Sequence, residues 1–237
     1  MPWCFSFKWK ISFNPRYCDS QGLPKPRSQC DPGYVCKKGA YTSTPTDGDT
    51  GSLCPAGGYC LVGSYEPKPC SPGYYSNVTG ARNSHDCRDC DPGYYCNKAS
   101  KPSPEGPCNA GTYCKKNAIS PNGTFTQPGH YAPAGSAFER PCLPGTFQPN
   151  HKAPNCTICP AGDYCPREKM EFSIACDAGF YCPAGSQVQF HCDKGTYNPR
   201  NRSESEEACL PCPPGKFCSL TALKLPDGKY INCTFLL

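Results

Sequence analysis

Sulfur is the reactive element this sequence supplies most freely: 23 of its 237 residues are cysteine. Cysteines do three kinds of chemistry: metal ligation, thiol redox turnover and cross-linking. Three CxxC pairs are present, Cys87-Cys90, Cys156-Cys159 and Cys209-Cys212. A structural zinc site takes two such pairs, or a pair and two histidines, at short separation. Here Cys87 and Cys156 are 69 residues apart and Cys156 and Cys209 are 53 apart, and no Cys-x-Cys occurs. A redox CxxC belongs at the start of a helix in a strand–helix–strand unit, and these three sit among turn residues. Cross-linking is therefore the expected use, with no metal and no cofactor. A metal-binding cysteine-rich protein is kept as an alternative.

The other chemically able residues are scattered. His85, His130, His151 and His191 lie in unrelated spacers, and there is no HExxH, GxSxG, Walker loop or dinucleotide fingerprint. The expectation is that the chain is not an enzyme. Glu204, Glu206 and Glu207 are too few for a calcium loop and read as a solvated stretch. Five sequons are candidate glycosylation sites: Asn77, Asn122 and Asn201 in mid-loop, and Asn155 and Asn232, whose neighbouring Cys156 and Cys233 restrict access once bonded.

The cysteines are positioned by one repeated heptad. It reads CDPGYVC at 30, CPAGGYC at 54, CDPGYYC at 90, CNAGTYC at 108, CPAGDYC at 159, CDAGFYC at 176 and CPPGKFC at 212. Gly follows the first Cys by three, which with the preceding Pro suits a type II turn. An aromatic stands beside the second Cys in every copy except at Val35 and is placed to cover a disulfide. Three open variants, CSPGYY at 70, CLPGTF at 142 and CDKGTY at 192, lack the second Cys and run on to a CxxC whose second Cys opens a closed heptad. A longer unit follows, starting at 70, 142 and 192. This divides the chain into an irregular segment 1–29, a partial repeat 30–69, a repeat 70–141, a repeat 142–191 and a truncated repeat 192–237. The first full repeat is longer mainly because of its spacer 115–141, which reads as an inserted loop with a hairpin tip at Asn122-Gly123.

Each open loop is expected to close on the first Cys of its CxxC: Cys70–Cys87, Cys142–Cys156 and Cys192–Cys209. Two successive closed heptads allow three connectivities. The crossed one is favoured: Cys90–Cys108 with Cys96–Cys114, Cys159–Cys176 with Cys165–Cys182, and Cys30–Cys54 with Cys36–Cys60. Closing loops of about 15 residues contributes on the order of 3 kcal/mol each. Cys4–Cys18 is a further candidate, and Cys18 alternatively belongs to a broken earlier heptad and pairs with Cys36. Cys212 is expected to pair with Cys233, which leaves Cys218 seeking a partner.

Composition agrees with a cross-linked frame. Leu, Ile, Val and Phe number 30 of 237, below the roughly one-fifth usual for a globular core. Pro and Gly number 29 and 23 and favour turns. The fold class expected is small and disulfide-rich: an elongated tandem array of modules with short β-hairpins and turns and little helix. The net charge of +5 is scattered, with no basic block longer than two, so no nucleic-acid or membrane-surface partner is expected. No run of 18 apolar residues is present, so no membrane span is expected in this chain. The cysteine content implies an oxidising, extracellular location. The start, MPWCFSFKWKISFNPR, makes a poor signal peptide, since Lys8 and Lys10 break its apolar run. That start and the odd cysteine count are read as an incomplete array.

The stretches CSPGYYSNVTGARNSHDCRDCDPGYYC, CLPGTFQPNHKAPNCTICPAGDYC and CDKGTYNPRNRSESEEACLPCPPGKFC resemble the cysteine-rich repeats of ephrin-receptor-like domains, themselves similar to EGF-like and tumour-necrosis-factor-receptor-like modules. The resemblance covers roughly residues 30 to 233 and implies the same three open-loop disulfides. It carries no ephrin binding or kinase activity, because the corresponding domains are absent from this sequence. Such repeats serve as spacers and contact surfaces. The expected function is a non-enzymatic extracellular structural spacer or protein-interaction surface within a larger receptor or secreted glycoprotein. Its partners would be an extracellular protein ligand or neighbouring domains. The alternative is a soluble ligand-binding or protease-inhibitor module.

Overall fold

A computed structural model describes residues 16–17, 28–37 and 39–228. It contains eleven two-stranded ribbons and two 3₁₀ turns, Ser84–Asp86 and Glu206–Ala208. Nearly every strand is two residues long. Ribbons this short do not hold themselves in water, so each needs a staple and a neighbour. The chain divides into two compact units. Among the described residues, one ends its first stretch at Asn109 and takes in 113–124 and 134–138; the other comprises 110–112, 125–133 and those from Glu139 onward.

The heptad sets the local geometry. Gly145 has φ +84°, and a Cβ there would stand 2.6 Å from the carbonyl oxygen of Gly185. Both facts require glycine. The two residues after each such glycine pair antiparallel with the two residues before the next heptad. Tyr74↔Asp89 and Tyr75↔Arg88 lead into Cys90, and Asp163↔Ala175 and Tyr164↔Ile174 lead into Cys176. Tyr17↔Ser28 and Arg16↔Gln29 lead into Cys30 in the same way. Tyr17 thus pairs and packs as the aromatic of a heptad does, while Cys4 and Cys18 lie outside the described residues.

A backbone ladder joins successive heptads. In the first unit the N–H of Gly33, Gly57, Gly73 and Gly93 donates to the carbonyl of the seventh residue of the following heptad. In the second unit Gly111, Gly129, Gly145, Gly162, Gly179 and Gly195 do the same, and all ten bonds measure 2.7–2.9 Å. Each glycine carbonyl in turn accepts the first N–H of that following heptad, at 2.8–3.2 Å. A third bond comes from a residue three or four places beyond each heptad. Its N–H donates to the first carbonyl of the preceding heptad, as in Gly63 to Cys30, Asn117 to Cys90 and Lys169 to Cys142. The chain must turn left-handed there. Among the described residues all six non-glycine residues with positive φ, Ser100, Asn117, Lys152, Lys169, Arg202 and Ala222, occupy this position. Buried backbone polar groups are thereby paired without wide sheets or long helices.

The cores are small and centred on sulfur. Each cluster sets the aromatic or Val35 of one heptad against the disulfide of the next: Tyr17 on Cys30 and Cys36, Val35 on Cys54 and Cys60, Tyr75 on Cys90 and Cys96, and Phe147 on Cys159 and Cys165. The fold is the expected disulfide-rich tandem array of hairpin modules.

The crossed pairing is wrong. Seven bonds close within heptads: Cys30–Cys36, Cys54–Cys60, Cys90–Cys96, Cys108–Cys114, Cys159–Cys165, Cys176–Cys182 and Cys212–Cys218. The reason is the turn itself. It brings the first and seventh Cα to 5.8–6.1 Å, within disulfide reach. Cys36 is therefore not the partner of Cys18 or Cys60. Cys212 takes Cys218 instead of Cys233, which lies outside the described residues.

Candidate functional surface

Three kinds of staple close the modules. The seven bonded heptads are the first. In the open modules the first Cys turns to a more distant partner, giving Cys70–Cys87, Cys142–Cys156 and Cys192–Cys209 with Cα atoms 5.6–5.9 Å apart. The seventh position then holds a buried polar residue, Ser76, Gln148 or Asn198. Asn198 Nδ2 donates to the Phe180 carbonyl (2.9 Å) and to Ser203 Oγ (2.8 Å), while Arg200 N–H donates to its Oδ1 (3.0 Å). Gln148 Nε2 donates to the Asn155 carbonyl at 2.9 Å. An amide thus holds its own loop where a sulfur would otherwise sit.

The third staple has no sulfur, so the cysteine spacing does not reveal it. Thr126-Gln127-Pro128-Gly129-His130-Tyr131-Ala132 folds as a heptad in which both cysteines are replaced. Thr126 and Ala132 are fully buried, and Gly129 makes the ladder bond to Gln148 at 2.7 Å. Ala153 bridges the two ends. Its N–H donates to Thr126 Oγ1 (2.9 Å), and its carbonyl accepts the Ala132 N–H (3.0 Å). The spacer 115–141 is therefore not a simple insertion. Asn122-Gly123 lies at the foot of the strand Thr124–Phe125 and not at a free hairpin tip. The signal available in the sequence was the Pro-Gly followed by an aromatic, together with a step from 108 to 126 that equals the 18 residues from 90 to 108.

The outward positions vary while the frame repeats. Three residues beyond each left-handed residue stand Glu66, Asn83, Ser103 and Asn155 in some modules, all exposed. In others the place is apolar: Phe138 (63% exposed), Phe172 (68%), Val188 (58%) and Leu225 (67%). Asn77, Asn122, Asn155 and Asn201 are exposed, and Asn232 lies outside the described residues. Asn201 Oδ1 accepts the Ala178 N–H at 2.8 Å, which leaves its Nδ2 unused by that bond. His85, His151 and His191 are exposed and His130 is half-buried, and the four occupy separate modules.

Charge is used locally. Asp163 is buried, takes a 2.6 Å hydrogen bond from Ser173 Oγ, and faces the Arg202 guanidinium at 3.2 Å. Lys116 Nζ pairs with Asp89 at 2.6 Å, and Asn117 Nδ2 donates to the same carboxylate at 2.7 Å. These two bonds hold the Asp89 carboxyl below its ordinary range, and the carboxylate in turn raises the Lys116 ammonium above its own. Burial, then the 3.0 Å bond its hydroxyl donates to Asp91, raises the Tyr75 phenol. Among the described residues no group of three or more His, Cys, Asp and Glu side chains is gathered as for a metal ion, and no helix is long and apolar enough to cross a membrane. No protein-family model matches the chain, and no curated protein matches it.

Proposed function

We propose that this chain is an extracellular, non-enzymatic scaffold: a structural spacer and protein-interaction segment of a larger receptor or secreted glycoprotein. One observation carries the reading. The backbone ladder repeats from module to module while the outward position beside it changes from polar to large and apolar. A fixed frame with variable exposed side chains is suited to contact with other proteins. Ten disulfides fit an oxidising compartment, and sulfurs so bonded offer no thiolates to metal.

The test is secretion followed by capture. The chain, expressed through the secretory pathway behind a heterologous leader, is expected to emerge oxidised and with glycans on Asn77, Asn122 or Asn201. Phe172→Ser, Val188→Ser and Leu225→Ser together are expected to leave its disulfides intact and lower cross-linking to cell-surface or matrix proteins. Retention of the chain with free thiols, or identical capture by both forms, would end the proposal.

A further inference from the structure

The ten disulfides among the described residues differ in access. Both residues of Cys30–Cys36, Cys54–Cys60, Cys90–Cys96, Cys108–Cys114, Cys159–Cys165 and Cys176–Cys182 are at most 1% exposed. Each open-loop bond has one buried end, Cys70, Cys142 or Cys192, and one half-buried end, Cys87, Cys156 or Cys209. Two of the half-buried ends line surface clefts. Cys209 borders a cleft of about 370 Å³ with Tyr181, Phe190, His191 and Glu206. Cys87 borders one of about 420 Å³ with His85, Arg88, Asp89, Lys116 and the fully buried Cys90. A half-buried disulfide end beside a cleft is therefore found in each unit. Cys212, in the last described heptad, is also half-buried.

We infer that the three open-loop disulfides are thiol-exchange sites, entered by an external thiol at Cys87, Cys156 and Cys209. Exchange rates depend on which sulfur a thiolate can reach. The incoming thiolate bonds to the Cys209 sulfur and breaks the bond to Cys192, whose sulfur leaves as a thiolate and takes a proton from solvent. A second equivalent of thiol attacks the mixed disulfide, releases the Cys209 thiol and departs as the oxidised disulfide. Two electrons and two protons have then passed from two thiols to the protein. Loops 71–86, 143–155 and 193–208 lose their covalent tether. The ladder bonds of Gly73, Gly145 and Gly195 and the closed heptads do not depend on it. The array changes the loops it presents while its frame persists. This inference rests on the oxidised state of the chain and not on any partner.

The native chain would be exposed to graded reduced glutathione, quenched with iodoacetamide and mapped by mass spectrometry, with circular dichroism on the same samples. Glutathione is expected on Cys87, Cys156 and Cys209 and the alkyl label on Cys70, Cys142 and Cys192. These pairs should react roughly tenfold or more faster than the six buried pairs; the half-buried Cys212 lets Cys212–Cys218 react early too. A Cys192→Ser/Cys209→Ser variant should lose its own adducts and keep the others. Uniform labelling of all pairs, with or without loss of structure, overturns the inference. So does glutathione found on the buried ends.

Discussion

Single residues decide how each module closes. Thr126 and Ala132 stand where other heptads carry cysteines, so Thr126→Cys with Ala132→Cys is expected to form an additional bond. Closing a seven-residue loop contributes about 2 kcal/mol on chain-entropy grounds, so the urea midpoint should rise under oxidising conditions and fall back on reduction. A pair that stays as free thiols would deny that the segment is a heptad. Titration tests a second residue-scale claim. The folded pKa of Asp89 is depressed, so its pairing with Lys116 persists above the ordinary carboxylate range and is lost as pH falls through the lowered value. Lys116→Ala should move the Asp89 titration, followed by NMR, upward toward the ordinary value; an unmoved curve contradicts the pairing. At this scale the glycines and aromatics were legible, because their steric roles are fixed by type. Lys152, Lys169 and Arg202 were not. Nothing in a lysine announces a left-handed backbone, which only the ladder imposes.

At the scale of elements, the unit is the heptad with its ladder bonds, and its length along the chain is elastic. The step from Cys90 to Cys108 is 18 residues and that from Cys176 to Cys192 is 16. Deleting residues 115–132 removes one whole step and joins Cys114 to Pro133-Ala134-Gly135. That junction copies Cys182-Pro183-Ala184-Gly185, where Gly185 also has positive φ. The shortened chain is expected to be secreted with the remaining disulfides unchanged. Deleting 115–123, half a step, should scramble them. Equal behaviour of the two deletions would show that the ladder has no register. The repeat and its open loops were readable from spacing because cysteine marks them. The sulfur-free step was hidden because no cysteine marks it, while the backbone needs only a glycine, a small buried end and a hydroxyl.

For the whole chain, the cysteine content and scarce aliphatics pointed correctly to a covalently stapled array. Chain entropy alone favoured long, crossed links, since longer loops lose more freedom when closed. Geometry overrode it: a seven-residue turn holds its own two cysteine Cα atoms 6.0–6.1 Å apart, within disulfide reach. Every disulfide among the described residues closes locally, within a heptad or an open loop, and modules are joined to one another by hydrogen bonds and not by sulfur. Non-reducing peptide mapping of the secreted chain tests it most directly. Bonds separated by only 6, 14 or 17 residues are predicted, such as Cys90–Cys96, Cys142–Cys156 and Cys192–Cys209. Recovery of Cys90 joined to Cys108, or Cys159 joined to Cys176, would contradict it.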